Sequence, residues 1–191
     1  MDDLLAVFKA RGAVLEGHFR LSSGLHSPRY IQCARVLMDP VLATGLGARL
    51  AEALRPVLAR APEAVVAPAL GGVLVAHEVA RAFGCRGLFT ERQDGTMTLR
   101  RGFELGADEP VLVVEDVITT GRSTREVIAA VTRLGATVLA VGSLIDRSEA
   151  QDLDLGVPRR SLLRVEAPVS TPEDCALCAA GVPAVKPGSR T

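Results

Sequence analysis

The chain has 191 residues, 48% hydrophobic and 23% charged, with Lys+Arg and Asp+Glu both at 22 and a formal net charge of zero. That is room for one α/β domain with a small appendage, and the neutral balance gives no support to a nucleic-acid or membrane role. No apolar run reaches the roughly 18 residues of a membrane span, and no basic stretch followed by an apolar one opens the chain, so the expectation is a soluble cytoplasmic protein.

Residues 2–10 place Leu4, Leu5, Val7 and Phe8 within helical reach, with Gly12 behind them, and predict a short first helix. Residues 13–20 read as a strand broken by Gly17. The next stretch runs from Phe19 through Ser22, Ser23 and Gly24 to Tyr30 and Ile31, a polar centre between apolar flanks, which is the pattern of a hairpin turn. Asp39-Pro40 opens a helix reaching about residue 58, since Asp is a good N-cap and Pro suits the first turn. Leu42, Leu46, Leu50 and Leu54 recur at i, i+4 and form its packing face. Residues 65–70 read as a strand, Gly71-Gly72 follows, and a helix runs from Val73 to Phe83. A strand, a glycine pair and a helix make an approach of the kind used for phosphate, although tight turns of this type often need glycine anyway. His77 on that helix reads as a packing or surface histidine. A strand resumes at residues 88–90, and Asp94-Gly95 is a strong two-residue turn signal. Residues 91–101 therefore read as a protruding hairpin carrying Arg92, Arg100 and Arg101, the bland alternative being a solvated charged hairpin.

The most informative stretch is VLVVEDVITTGRST, residues 111–124. Four apolar residues, three of them β-branched, read as a buried parallel strand. Glu115 and Asp116 follow, then Val117 and Ile118, then the loop Thr119, Thr120, Gly121, Arg122, Ser123. Ser123 and Glu126 have capping-box spacing, Val127, Ile128, Val131 and Leu134 share one helical face, and Gly135 is placed to end the helix. A Thr/Gly/Ser loop entering a helix offers backbone N–H groups, hydroxyls and a positive dipole end, which suit phosphate. The adjacent carboxylates repel phosphate and suit sugar hydroxyls or a hydrated Mg²⁺. Together the two halves describe a ribose 5-phosphate held at both ends. The loop is neither GxxxxGK[ST] nor GxGxxG.

Residues 136–144 form another apolar strand and complete a βαβ unit, which ends in Ile145-Asp146-Arg147. Arg147 at a strand end suits a planar anion, with Asp146 able to orient it; a surface ion pair is the bland alternative. Residues 153–165 give a last strand, and 171–175 open a short helix before a Pro/Gly-bearing tail at 181–191. The cysteines are Cys33, Cys85, Cys175 and Cys178. The CxxC pair Cys175/Cys178 cannot fill a tetrahedral zinc site alone. It reads as ordinary reduced thiols, ahead of a local disulfide or a metal, and no protein metal site is expected.

The stretch from Glu115 to Ser123 resembles the phosphoribosyl diphosphate motif of the type I phosphoribosyltransferases. The segment around Ser22, Ser23 and Gly24 resembles the N-terminal segment of the orotate-using members, which covers the orotate ring. The resemblance spans essentially the whole chain. It implies an α/β parallel-sheet fold in one domain, 1–191, with Met1–Val36 as a hood and 88–103 as a flexible hairpin. It implies transfer of the phosphoribosyl group of 5-phosphoribosyl 1-diphosphate to orotate, with Mg²⁺ held mainly by the substrate. Glu115, Asp116 and Arg92 take the catalytic roles. Val117, Ile118, Thr119, Thr120, Gly121, Arg122 and Ser123, with Gly71 and Gly72, join them in binding phosphoribosyl diphosphate. Thr119, Arg147, Ser22, Ser23 and Gly24 meet orotate. The family's mobile loop commonly carries Lys and His, and neither lysine of this chain nor any of its histidines falls in the hairpin, so Arg92 is the best match and Arg100 and Arg101 substitute by chemistry only. The resemblance also implies a homodimer that shares this loop between subunits. The rival readings are the same fold acting on a purine, and a non-catalytic regulator that senses phosphoribosyl diphosphate.

Overall fold

The structure, a computed structural model, describes residues 3–21, 23–148 and 153–186. The chain divides into two compact units, Met1–Val36 with Val165–Thr191, and Leu37–Arg164.

The first unit begins with α1 (Leu4–Ala10), capped by the Asp3 carboxylate, which accepts from Leu5 N at 3.1 Å. Strands β1 (Val14–Arg20) and β2 (His26–Ile31) pair antiparallel, with a register shift between Glu16 and Phe19 where Gly17 stands. The expected turn closes them: Leu21 N donates to Leu25 O at 2.8 Å and Gly24 N to Leu21 O at 3.0 Å. A single helical turn, α2 (Ala34–Leu37), follows.

The second unit opens with α3 (Pro40–Leu54), where Asp39 accepts from Val41 N and Leu42 N at 3.1 and 3.3 Å. The helix tightens into a 3₁₀ turn at Arg55–Val57, short of the expected end; Pro56 has no N–H to continue the α-helical ladder. Leu46, Leu50 and Leu54 are buried as the i, i+4 pattern requires, each contributing about 2–3 kcal/mol of burial. Then come β3 (Ala64–Pro68), α4 (Val73–Phe83), β4 (Arg86–Gln93), β5 (Thr96–Leu99), β6 (Pro110–Ile118), α5 (Arg122–Arg133), β7 (Thr137–Asp146) and β8 (Arg159–Arg164). The last strand starts later than the sequence pattern suggests, because residues 153–158 turn at Gly156, whose N–H meets Asp154 Oδ1 at 2.8 Å.

These strands form one sheet in the order β5-β4-β3-β6-β7-β8. All neighbours run parallel except the edge pair β4–β5. Asp94 and Gly95 join that edge pair with φ of 51° and 81°, the left-handed pair a tight hairpin needs. Met97 is buried and Leu99 packs on the same core, so the stem of the hairpin belongs to the sheet.

The topology decides where a ligand can enter. From β3 the chain crosses by α4 to β4 on one side, and from β6 by α5 to β7 on the other. The strand order therefore reverses between β3 and β6, and open α/β sheets bind ligands at the carboxyl ends flanking such a reversal. β3 and β6 pair only from Ala64↔Val111 to Val66↔Val113, and beyond that the ladder between them stops.

After β8 the chain returns to the first unit. Ser170 and His26 exchange backbone hydrogen bonds at 2.9 and 3.0 Å. Val185 O accepts from Arg20 N and Val185 N donates to His18 O, both at 2.8 Å. Between them lies α6 (Ala176–Ala179), with Cys175 at its N-cap.

Candidate active site at the strand reversal

β6 does not stop at the fourth apolar residue. Glu115 pairs with Ser143, Val117 with Ile145 and Ile118 with Asp146, so both carboxylates still sit in the strand, just past the point where β3 leaves it. Glu115 is buried, and Ser123 Oγ donates to its Oε2 at 3.0 Å. Burial, and after it the neighbouring Asp116 charge, pushes the Glu115 carboxyl up to about 8 against the Ser123 hydrogen bond. Two carboxylates pressed together in this way call for a proton, a cation or hydroxyl donors.

The loop after β3 lies directly against them. A Cβ at Gly71 would come within 2.7 Å of both Asp116 carboxylate oxygens, so any side chain there would push the carboxylate aside. Gly72 is the N-cap of α4, and the Ala69–Leu70 peptide is cis. The crevice thus has carboxylates on one wall and bare backbone on the other.

The loop after β6 turns at Gly121, whose φ of 72° is left-handed. α5 therefore starts at Arg122, two residues earlier than a Ser123 cap would allow, and the expected capping box is not formed. Ser123 turns to Glu115 instead, and Glu126 takes Arg122 at 3.0 Å and Arg92. Thr119 and Thr120 are exposed, and Thr120 Oγ1 accepts from Arg122 N at 3.4 Å. What remains is a helix N-terminus with hydroxyls and backbone donors beside the carboxylate pair, suited to an anion.

Thr119 and Arg147 follow a register pair, Ile118↔Asp146, and Arg147 N donates to Ile118 O at 2.9 Å. The structure therefore brings these two sequence-predicted positions to adjacent strand ends. Asp146 does more than was expected of it. Its buried carboxylate gathers Arg159 at 2.5 Å, Arg164 at 3.6 Å, and the N–H and hydroxyl of Ser148 at 2.8 and 2.7 Å.

The hairpin cations are held locally. Arg92 donates to Gly95 O at 2.9 Å and pairs with Glu126, while Arg101 is bidentate on Glu91 at 2.7 and 2.8 Å. Arg100 is exposed. Ser23 and Gly24 form the β1–β2 turn of the first unit, and Ser22 lies outside the described residues. His77 is a surface histidine, 3.2 Å from Glu78 Oε1.

The CxxC pair Cys175/Cys178 does not stand alone. In the first unit His18 and His26 stand beside Cys175 and Cys178, all four ligand atoms lying within 4.8 Å of one another. Two Cys and two His are the composition of a zinc set, but their spacing matches no contiguous zinc pattern.

Residues 36–174 match the phosphoribosyl transferase domain, and the chain belongs to the phosphoribosyltransferase family, with the type I fold. Within that family it is similar over its whole length to orotate phosphoribosyltransferases. It is 52% identical over 193 residues to that of Pelotomaculum thermopropionicum, with 99% of this chain and 97% of that protein aligned. It is 50% identical over 184 residues to that of Thermotoga maritima, with 96% of each aligned. The solved orotate phosphoribosyltransferase from Aeropyrum pernix is 33% identical at a TM-score of 0.73, covering 85% of this chain and 93% of that one.

Proposed function

We infer that this chain joins orotate to the anomeric carbon of 5-phosphoribosyl 1-diphosphate, giving orotidine 5′-monophosphate and pyrophosphate in pyrimidine biosynthesis. Among the features of its own structure, one carries the reading: an acidic pair and a phosphate-type loop on one strand, faced by the close backbone of Gly71 at the strand reversal. Full-length likeness to orotate phosphoribosyltransferases supplies the substrate.

The ribose hydroxyls donate to Glu115 and Asp116, which offsets the burial and, after it, the Asp116 charge that hold Glu115 protonated. Val117 and Ile118 carry the strand to the loop, and the N–H groups and hydroxyls from Thr119 to Ser123 hold the 5′-phosphate. The backbone of Gly71 and Gly72 lies under the pyrophosphate. Arg147, with Thr119 beside it, takes an anionic edge of orotate. Orotate is already an anion, so little acid–base help is needed; the difficulty is a ribosyl cation forming as a pyrophosphate leaves. Arg92 meets that leaving charge. Its pair with Glu126 is exposed and so weak enough to exchange for a polyphosphate. The assignment of Ser22, Ser23 and Gly24 to orotate rests on the resemblance alone.

Hard carboxylate oxygens at Glu115 and Asp116 suit a hydrated Mg²⁺, and their mutual repulsion is what a nearby cation answers. Held mainly by the substrate, Mg²⁺ supplies charge neutralisation on the leaving pyrophosphate. Among the described residues no helix is long and apolar enough to cross a membrane, and the water-soluble substrates suit a cytoplasmic location. A homodimer is the assembly we favour; the exposed apolar side chains of Met38, Val41, Leu70 and Leu74 support it.

The deciding experiment follows orotate absorbance. Consumption should require both phosphoribosyl diphosphate and Mg²⁺, and Asp116→Asn should cut turnover at least tenfold, about 1.4 kcal/mol of transition-state stabilisation. Consumption of a purine with orotate untouched would overturn the assignment.

A further inference from the structure

We propose that the first unit is a zinc module, in which His18, His26, Cys175 and Cys178 bind one Zn²⁺ as a closed Cys₂His₂ site with a structural role. The distances already approach a coordination shell. Cys175 Sγ lies 3.4 Å from His18 Nε2, Cys178 Sγ 3.7 Å from the same atom, and Cys178 Sγ 3.3 Å from His26 Nδ1. A tetrahedral zinc with nitrogens near 2.0–2.1 Å and sulfurs near 2.3 Å sets its ligand atoms roughly 3.3–3.8 Å apart. The two ring nitrogens, His18 Nε2 and His26 Nδ1, stand 2.8 Å apart, and an ion entering between them has to open that gap by only about half an ångström; all four ligand atoms lie within 4.8 Å of one another.

One histidine is held in the required tautomer. His18 Nδ1–H donates to Val182 O at 2.7 Å, so Nε2 presents its lone pair to the cluster. His18, His26 and Cys175 are buried. A Zn²⁺ there displaces one proton from each thiol, and two thiolates with two neutral imidazoles leave the site with zero net charge, which suits a dry interior. Four protein ligands leave no open position, as in a structural site. Thiolate and imidazole ligands in a tetrahedral set favour zinc over the hard cations.

The unit has reason to need such a staple. Its buried apolar residues are few, among them Phe8, Ala13, Val14, Phe19, Val165 and Ala167, and small cores are commonly completed by a metal. The ligands tie β1 and β2 to a segment between 152 and 160 residues further on. The backbone bonds of His26 with Ser170 and of His18 with Val185 hold the same two segments in register.

The test uses the full chain, purified under reducing conditions without added chelator. We expect about one zinc per chain by elemental mass spectrometry, and less than about a tenth of that in the Cys175→Ser/Cys178→Ser double variant. In case the variant misfolds, the metal-stripped, reduced wild-type chain is titrated with Co²⁺. Saturation at about one equivalent, with the intense visible bands and thiolate charge transfer of a tetrahedral sulfur–nitrogen site, supports the proposal. Weak octahedral bands that do not saturate, a Cys175–Cys178 disulfide in the purified protein, or zinc retained in full by the double variant each overturn it. None of these readouts depends on phosphoribosyl transfer, so failure here leaves the catalytic reading standing.

Discussion

The crevice at the strand reversal and the His/Cys cluster of the first unit are built in opposite ways. The crevice takes Glu115 to Ser123 from one unbroken stretch, with Gly71 and Gly72 from the neighbouring loop. The cluster takes single residues from β1 and β2 and a pair from the start of α6. The first resists a second negative charge until something binds: burial, and after it Asp116, drives Glu115 up to about 8 and keeps it protonated. The second balances its own charge once a metal is in place. The crevice thus gains from hydroxyl donors or a cation beside its acids, and the cluster from one metal ion among its four ligands.

The largest effect we expect tests how far the crevice extends along the sheet. Arg147→Ala should raise the KM for orotate roughly 30- to 150-fold, the loss of a charged hydrogen bond of about 2–3 kcal/mol, and should change that for phosphoribosyl diphosphate far less. Steady-state kinetics with each substrate varied will tell. Equal weakening of both would confine the crevice's chemistry to β6 and make Arg147 structural.

A smaller effect asks whether one chain completes its own crevice. Mixing Arg92→Ala chains with Asp116→Asn chains should restore activity toward about a quarter of wild type if the hairpin arginine is shared across a dimer, since about half the dimers are mixed and each has one intact site. No recovery, with subunit exchange demonstrated, means that Arg92 acts within its own chain, where it pairs with Glu126, or not at all.

The smallest effect measures the raised Glu115 carboxyl. Between the ordinary carboxylate value of 4.5 and about 8, folded Glu115 keeps a proton that the unfolded chain has lost. Stability from this group is therefore full below the lower value and is lost as pH rises toward the upper one. Glu115→Gln cannot ionise. Its Tm advantage over wild type, without ligand, should grow by a few degrees between about pH 5 and pH 8. A difference that stays flat by calorimetry would mean that neither burial nor Asp116 raises the Glu115 carboxyl.

Much of this was legible where the chemistry is local. The strand, acidic pair, threonine–glycine loop and helix announced the crevice in sequence order, Asp39 capped α3 as read, and α4 runs from Val73 to Phe83 as its pattern required. The misreadings have non-local causes. β6 runs on to Ile118 because β7 continues to pair with it. Ser123 misled as a cap because the left-handed Gly121 starts the helix early, and the partner Ser123 finds instead is on the strand behind it. The gathering of Arg159 and Arg164 around Asp146 depends on β8 lying alongside β7. His18 and His26 could be brought to Cys175 and Cys178 only by the pairing of β2 with Ser170 and of β1 with Val185, contacts that no window along the chain contains.

The discontinuous first unit also sets a timetable for biosynthesis. Its two pieces flank Leu37–Arg164, so the catalytic unit has all its strands once β8 leaves the ribosome, while β1 and β2 still wait for residues 165–186. Domains tend to fold as units while the chain emerges. Here the N-terminal hairpin, made first, is completed last, and for that interval its histidines and unpaired backbone face the solvent of the nascent chain.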